Sequence, residues 1–471
     1  MSLIKMALYV TLALPALAAA EPAPVTVITG ATVIHPSRTG SAAVEPYSTI
    51  VISGDRIQLA GSGITLELTQ NATVIDGRGK WVIPGLIDAH VHFFQSGNLY
   101  TRPDVADFNA VVPYAQEVAR NKARLDATFK VWLASGVTGV VDIGGPFWNF
   151  EVRDRSVLSR AAPRMAVAGP LISMVARPQL DLGDPPIVKI DSPEAARALV
   201  ARQLEREPEY IKVWFIHQAG DDLAAQEAIV KAAGDAAHAA GKRLAVHATE
   251  LVVAKAALRA GADYLVHGVY DAPVDEEFLQ LARKNDALLC PTLFVMEGYA
   301  LALSNTWKAT EAEAARADPR ILAAMYDLNE IPKDKLPPGI ADLIAKPRPL
   351  ASRDVAMKDL RRIVDAGVDV VMGTDAGNIG TLHGPSIHRE MALMVEAGLT
   401  PIEVLRAATV NGAKALGLEG AAGEVKEGML ADLVILDADP LADVGNLARV
   451  YRTIKGGVVY DPAELMGSLE R

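Results

Sequence analysis

The chain has 471 residues, 50% of them hydrophobic and 22% charged, which excludes a fibrous, low-complexity or wholly disordered protein. Single cores stop growing at about 250–300 residues, so a chain of this length needs two domains or one large barrel with insertions. Lys+Arg 46 against Asp+Glu 57 gives a net charge of -11, which makes nucleic acid and anionic membranes poor partners, and the lone Cys290 rules out an intramolecular disulfide framework or a multi-cysteine zinc site.

The N-terminus has the form of an export signal. Lys5 precedes an apolar run from Met6 to Leu17, and the small residues Ala18, Ala19 and Ala20 then meet Glu21-Pro22. Such a run is too short to span a bilayer comfortably, and cleavage is expected after Ala20. No later segment has the long uncharged stretch of a membrane helix, so the mature chain is expected to be exported, periplasmic or secreted, and free of the membrane once cleaved. Asn71-Ala-Thr73 matches a glycosylation sequon, a three-residue pattern that arises often by chance.

Beyond the leader, Val25 to Thr32, Thr49 to Ile57 and Ala72 to Ile75 alternate apolar and polar residues as short half-buried strands do. Strand-like stretches return at Ala431 to Asp437 and Val450 to Val459, which suggests one small β-sandwich domain built from both chain ends, residues 21–80 plus 418–471.

Between the two ends, apolar strands alternate with amphipathic helices. Strands are expected at Val82 to His92, Val137 to Ile143, Arg164 to Ala168, Tyr210 to Ile216, Leu244 to His247, Tyr264 to His267, Leu288 to Leu293 and Val368 to Gly373. Eight strands in about 290 residues fit a (β/α)8 TIM barrel, assigned to residues 81–417, better than an open sheet. Helices are expected at Ala195 to Arg206, Gln226 to Ala240 and Val252 to Ala260, and Gly241, Gly261 and Gly367 stand at expected helix stops. Residues 297–352, interrupted by Pro332, Pro337, Pro338, Pro347 and Pro349, depart from the rhythm as an insertion, either a lid over the barrel mouth or a surface excursion. Gly144-Gly145-Pro146 follows strand two as turn chemistry.

The most informative local signal is Pro84-Gly-Leu-Ile-Asp-Ala-His90-Val-His92. Strand residues two apart point to the same face, so both imidazoles can share one metal ion. Lys212, His247, His267 and Asp375 each fall at or near the end of a later predicted strand, where the catalytic groups of a barrel gather.

This set resembles the amidohydrolase superfamily, and the resemblance extends beyond the ligands. Lys80-Trp-Val-Ile-Pro-Gly-Leu-Ile-Asp-Ala-His-Val-His is similar to that superfamily's entry into strand one; Ala408-Thr-Val-Asn-Gly-Ala-Lys-Ala-Leu-Gly417 and Gly428-Met-Leu-Ala-Asp-Leu-Val-Ile-Leu-Asp437 resemble its final helix and return into the β domain. Within it the chain looks closest to the imidazolonepropionase-like and prolidase-like branch.

The resemblance implies a hydrolase with two divalent ions, zinc being the expected metal, with manganese, cobalt, nickel and iron open. It also implies that Lys212 is carboxylated by carbon dioxide. The first ion takes His90, His92, the Lys212 carbamate and Asp375, and the second takes the carbamate, His247 and His267. A bridging hydroxide attacks an amide or cyclic amide of a small molecule, such as an N-acyl amino acid or dipeptide, and Asp375 carries the proton to the leaving amine.

His247-Ala-Thr-Glu250 also fits the H-x-x-E of deaminases in the same superfamily, with one metal and Glu250 as proton shuttle; the plainer reading of Glu250 is a first-turn helix carboxylate. A lactonase or esterase on the same site, and a non-catalytic exported binding protein, are the other readings. His217 and His383 are candidate substrate contacts, His388 is read as helix-start structure, and Cys290 as a buried small apolar residue. Oligomeric state is left open, a homo-oligomer included.

Overall fold

The structure is a computed structural model and describes residues 24–64, 72–346 and 353–469. The leader at residues 1–20, Asn71 of the sequon and the last six residues of the insertion lie outside the described residues. No helix among the described residues is long and apolar enough to cross a membrane.

Strands from the two chain ends meet in one mixed sheet. Its order is Val458–Tyr460, Val450–Lys455, Leu433–Leu436, Trp81–Pro84, Val25–Ile34, Val44–Ser53, Arg56–Ser62, with Ala72–Asp76 also beside Val25–Ile34. Ile28, Ile50, Ile52, Val82, Leu433 and Ile454 form its core, the apolar half of the alternation seen in the sequence. The expected β-sandwich is therefore, in its hydrogen bonding, a single eight-stranded sheet.

The predicted strand Val82 to His92 is two strands in two sheets. Trp81–Pro84 pairs antiparallel with Leu433–Leu436, whereas Leu86–Val91 pairs parallel with Val137–Asp142. The switch falls at Gly85, whose N–H donates to the Asp432 carbonyl at 2.8 Å. A Cβ there would lie 2.1 Å from Thr138 Oγ1, so only glycine lets the first strand pass so close to its neighbour.

The middle of the chain is α/β with two wholly parallel sheets. One holds Leu86–Val91, Val137–Asp142 and Arg164–Val167. The other runs Ile187–Lys189, Leu171–Ser173, Tyr210–Trp214, Arg243–His247, Tyr264–Val266, Leu288–Cys290. Isolated parallel bridges link Ala168 with Tyr210, Leu289 with Val370 and Val91 with Ala376. The expected eighth strand, Val368 to Gly373, makes no ladder; it is held by the Val370 bridge and by Ala89 N–H donating to the Met372 carbonyl at 2.9 Å. Residues of both sheets, among them Ile87, Val141, Ala245 and Leu288, share one interior cluster that Ala413 and Leu416 close at one end. Cys290 is buried there, as expected.

Helices cover the outside of these strands. Ser192 caps Pro193–Leu204, Asp222 caps Leu223–Ala239 and Asp275 caps Glu276–Lys284, each side chain accepting from a first-turn N–H. Gly241, Gly261 and Gly367 follow their helices with φ of 69°, 95° and 77°, the left-handed stop that the sequence implied. The insertion is helical in pieces, beginning with Val295–Leu303, and its Trp307, Met325 and Leu328 pack with Leu99, Tyr100 and Phe108 of the loop after the first parallel strand.

Gly85→Ala is expected to destabilise the protein by about 1–3 kcal/mol, the range for overpacking a tight contact. Adding Thr138→Gly should recover part of the lost thermal midpoint; no change in midpoint for the single variant would show that the contact is not tight.

Candidate metal centre

His90 lies on Leu86–Val91 and His92 just beyond it, so the alternation of the strand sends both rings to one side. Their Nε2 atoms are 3.4 Å apart, and Asp375 Oδ1 is 3.3 Å from His90 Nε2 and 3.1 Å from His92 Nε2. The Gly144 carbonyl, 2.7 Å from His92 Nδ1, can only accept, so Nδ1 carries the ring proton and Nε2 presents a lone pair. A lone pair aimed at a carboxylate oxygen this close needs a cation or a proton between them.

His267 joins from the end of Tyr264–Val266, its Nδ1 held by Thr292 Oγ1 at 2.6 Å. Its ring centroid is 4.9 Å from that of His90 and 4.5 Å from that of His247. His90, His267 and Asp375 each offer a ligand atom within 4.8 Å of the others. Burial lowers His90 to about 4, and burial together with the Lys212 charge lowers His247 to about 3, so both rings are neutral at neutral pH, the form that binds metals. His90 Nδ1 is buried with no hydrogen-bond partner among the described residues. This donor set fits a divalent cation.

Lys212 stands within Tyr210–Trp214, 1% exposed, and makes no hydrogen bond or ion pair with any described residue. Desolvation lowers its pKa to about 7, against the attraction of Asp375. A substantial share of the side chain is therefore the free amine at neutral pH, the form able to react with carbon dioxide.

Buried polar groups behind this cluster were not singled out from the sequence. Asp88, fully buried, accepts from Thr374 Oγ1 at 2.6 Å, Thr374 N–H at 3.0 Å and His90 N–H at 3.2 Å, so it ties the first strand to the segment carrying Asp375. Burial pushes its carboxyl up to about 7. Asn378 Nδ2 donates to Asp375 Oδ1 at 2.7 Å, while its own Oδ1 accepts from Arg102 at 2.6 Å and from the Tyr299 hydroxyl at 2.5 Å. Glu390 accepts the Leu293 and Phe294 N–H groups at 2.8 and 2.9 Å, fixing the turn that carries Thr292. His267, Thr292 and Asp375 all have positive φ, at 75°, 43° and 61°, three of the seven such non-glycine residues among those described.

One cavity of about 590 Å³ is lined by all six of the residues that the sequence marked: His90, His92, Lys212, His247, His267 and Asp375. The two candidate substrate contacts lie outside its lining. His217 is taken up by Gln226 Oε1 at 2.8 Å, and His383 stacks on Phe93 and reaches the His92 carbonyl at 3.2 Å, behind the strand. Glu250 precedes the helix Leu251–Arg259 and is also outside the lining, and His388 is the second residue of Ile387–Glu396.

Parallel strands, a helical coat and buried imidazoles against a carboxylate define the architecture of a metal-dependent hydrolase. The chain belongs to the amidohydrolase family, whose model matches residues 81–460, and so to the hydrolases of carbon–nitrogen bonds, in the branch that holds imidazolonepropionases and prolidases. The family is generally metal-dependent. The chain is 26% identical over 420 residues to the imidazolonepropionase of Alkaliphilus metalliredigens (strain QYMF), covering 83% of each chain. An uncharacterized protein of Mycobacterium tuberculosis (strain ATCC 25618 / H37Rv) is 25% identical over 433 residues, which is 86% of this chain and 96% of that one. Among solved structures, a Xaa-Pro dipeptidase with bound methionine in its active site matches in fold with a TM-score of 0.69 at 24% identity, over 93% of this chain and all of that one.

Thr292→Val removes the only hydrogen-bond partner of His267 Nδ1 among the described residues while keeping its shape. Divalent-ion affinity, measured by competition with a chelator, should fall about 10–100-fold, the usual cost of losing a group that orients a ligand. Unchanged affinity would place His267 outside the ion's coordination.

Proposed function

We propose that this protein is an exported metal-dependent amidohydrolase that hydrolyses the amide, or cyclic amide, of a small molecule such as an N-acyl amino acid or dipeptide. The observation that carries the reading is the convergence of six donor residues, contributed by five separate segments, on one cavity. The reading takes residues 81–417 as a (β/α)8 barrel, supported by the three bridges between its parallel segments, and residues 21–80 with 418–471 as the accompanying β domain. Residues 1–20 serve as the export signal, on the strength of their apolar run and small-residue end.

In this reading His90, His92 and Asp375 would hold one ion and His247 and His267 the second, with the carboxylated Lys212 supplying an anionic oxygen donor to both. A buried lysine with no ion-pair partner among the described residues is costly, and carboxylation with carbon dioxide exchanges that cation for an anionic oxygen donor. Two zinc ions bound here would supply Lewis acidity, acidifying water and polarising a carbonyl.

The chain's own work is proton transfer and positioning. Asp375, its carboxylate fixed by Asn378, accepts a proton from the attacking water. As the C–O bond forms and the C–N bond breaks, Asp375 returns that proton to the nitrogen, and the products are a carboxylate and an amine. Glu250, outside the cavity lining, gives the deaminase alternative no support.

Elemental mass spectrometry on protein purified without chelators should find close to two divalent ions per chain, with fewer in Lys212→Ala. Asp375→Asn should lower kcat by about 10²–10⁴-fold. One ion per chain, unaltered by Lys212→Ala, would rule out the carbamate-bridged pair.

A further inference from the structure

Away from its donor residues, most of the cavity's open wall is hydrocarbon, interrupted by polar groups such as Gln95, Thr249, Tyr270 and Ser304. Leu171, Leu180 and Ile187 come from the segment after the third parallel strand, Met296 and Leu303 from the helix Val295–Leu303 that leads into the insertion, and Leu343 from the insertion itself. Outside the donor set, the one charged residue lining the cavity among those described is Arg102. Its guanidinium is already satisfied: Nε and Nη2 each lie 2.7 Å from the Asp104 carboxylate, and Nη1 binds Asn378 and Tyr299. Outside the donor set, no unpaired charge among the described residues of this lining awaits an ionic group.

Two of the wall's apolar side chains are also left in water. Val105 is 48% and Met296 41% exposed, and both belong to the lining. Apolar surface kept at the wall of a site that ends in buried polar donors is surface for a ligand to cover.

The geometry points to an amide substrate in which one of the two substituents on the scissile bond is bulky, apolar and uncharged, held between the 171–187 segment and the insertion. This rests on the amide-hydrolase reading and narrows it, disfavouring acetyl, glycyl and other small or charged groups at that position. The insertion then acts as a wall of the specificity pocket.

Two substrate series on the metal-loaded full-length protein test the inference. In the acyl series, N-acetylglycine, N-hexanoylglycine and N-adipoylglycine differ in chain length and terminal charge. In the amine series, N-methylacetamide, N-hexylacetamide and N-acetyl-6-aminohexanoate do the same. Each buried methylene is worth roughly a fourfold factor, so in one series kcat/KM should rise at least about 30-fold from the short to the six-carbon member and fall back in the carboxylate-ended one. Met296→Asp, and separately Val105→Asp, should cut that rise at least about tenfold; both positions are exposed enough to accept a charge without unfolding the chain. A rise below about threefold in both series, or a preference for the carboxylate-ended members, overturns the inference.

Calorimetric binding of the same six compounds to metal-loaded Asp375→Asn separates this inference from the reading beneath it. If binding follows the predicted ranking but the wild-type protein turns over none of the six, the amide-hydrolase reading fails and the apolar pocket stands. Turnover without the ranking removes the pocket and leaves the hydrolase; neither turnover nor ranked binding overturns both.

Discussion

The constraint on which the rest of this structure depends is the burial of a lone-pair-rich cluster. His90 and Asp375 are within a tenth of full burial, Lys212 is 1% exposed, and the Nε2 atoms of His90 and His92 face one carboxylate oxygen at 3.3 Å or less. Donors do not gather in this way unless the surrounding scaffold forces them to. The force comes from packing: each donor stands at, or within two residues of, the end of an apolar parallel segment most of whose side chains are locked in the core. Behind the donors, Asp88, Asn378, Thr292 and Glu390 convert the remaining freedom of rings and turns into fixed hydrogen bonds. Three backbones in the left-handed region mark where this is strained, and strain of that kind persists only where neighbours over-determine the conformation.

Much of this was legible in the sequence because strand ends announce themselves. An apolar run that stops at His247, His267 or Asp375 identifies both the element and the residue left at its tip, and all six marked donors line the cavity. The residues that orient them carry no such signal. Thr292 acts on His267 through one hydrogen bond from the next strand end and Asn378 on Asp375 three residues before it, and neither spacing nor composition distinguishes them from any other threonine or asparagine. His217 and His383 lie outside the cavity lining for a related reason: position after a strand indicates proximity to the site, but Gln226 and the His92 carbonyl decide where those rings point.

The architecture shows a similar division. The apolar residues on both sides of Pro84-Gly85 read as one strand, because periodicity is blind to which sheet a residue joins. Val368 to Gly373 had the composition of a strand and lies extended beside its neighbours, but bridges replace the ladder. The insertion departed visibly from the βα rhythm, and its first helix contributes Val295, Met296 and Tyr299 to the cavity, so the irregular segment participates in the site as fully as the regular ones.

The division of the first strand at Gly85 also bears on how the protein is made. Trp81–Pro84 is flanked by Val25–Ile34 on one side and by Leu433–Leu436 on the other. During synthesis the second edge has no partner until most of the chain has been translated, so an apolar strand immediately before the histidine pair waits unpaired through almost the whole of translation. Closing so long a loop is slow relative to local helix formation, and the last step of assembly is then the seating of the C-terminal strands against that edge. Loss of the chain from Leu433 onward would leave the edge open, turning a truncation far from the histidine pair in sequence into a route to aggregation.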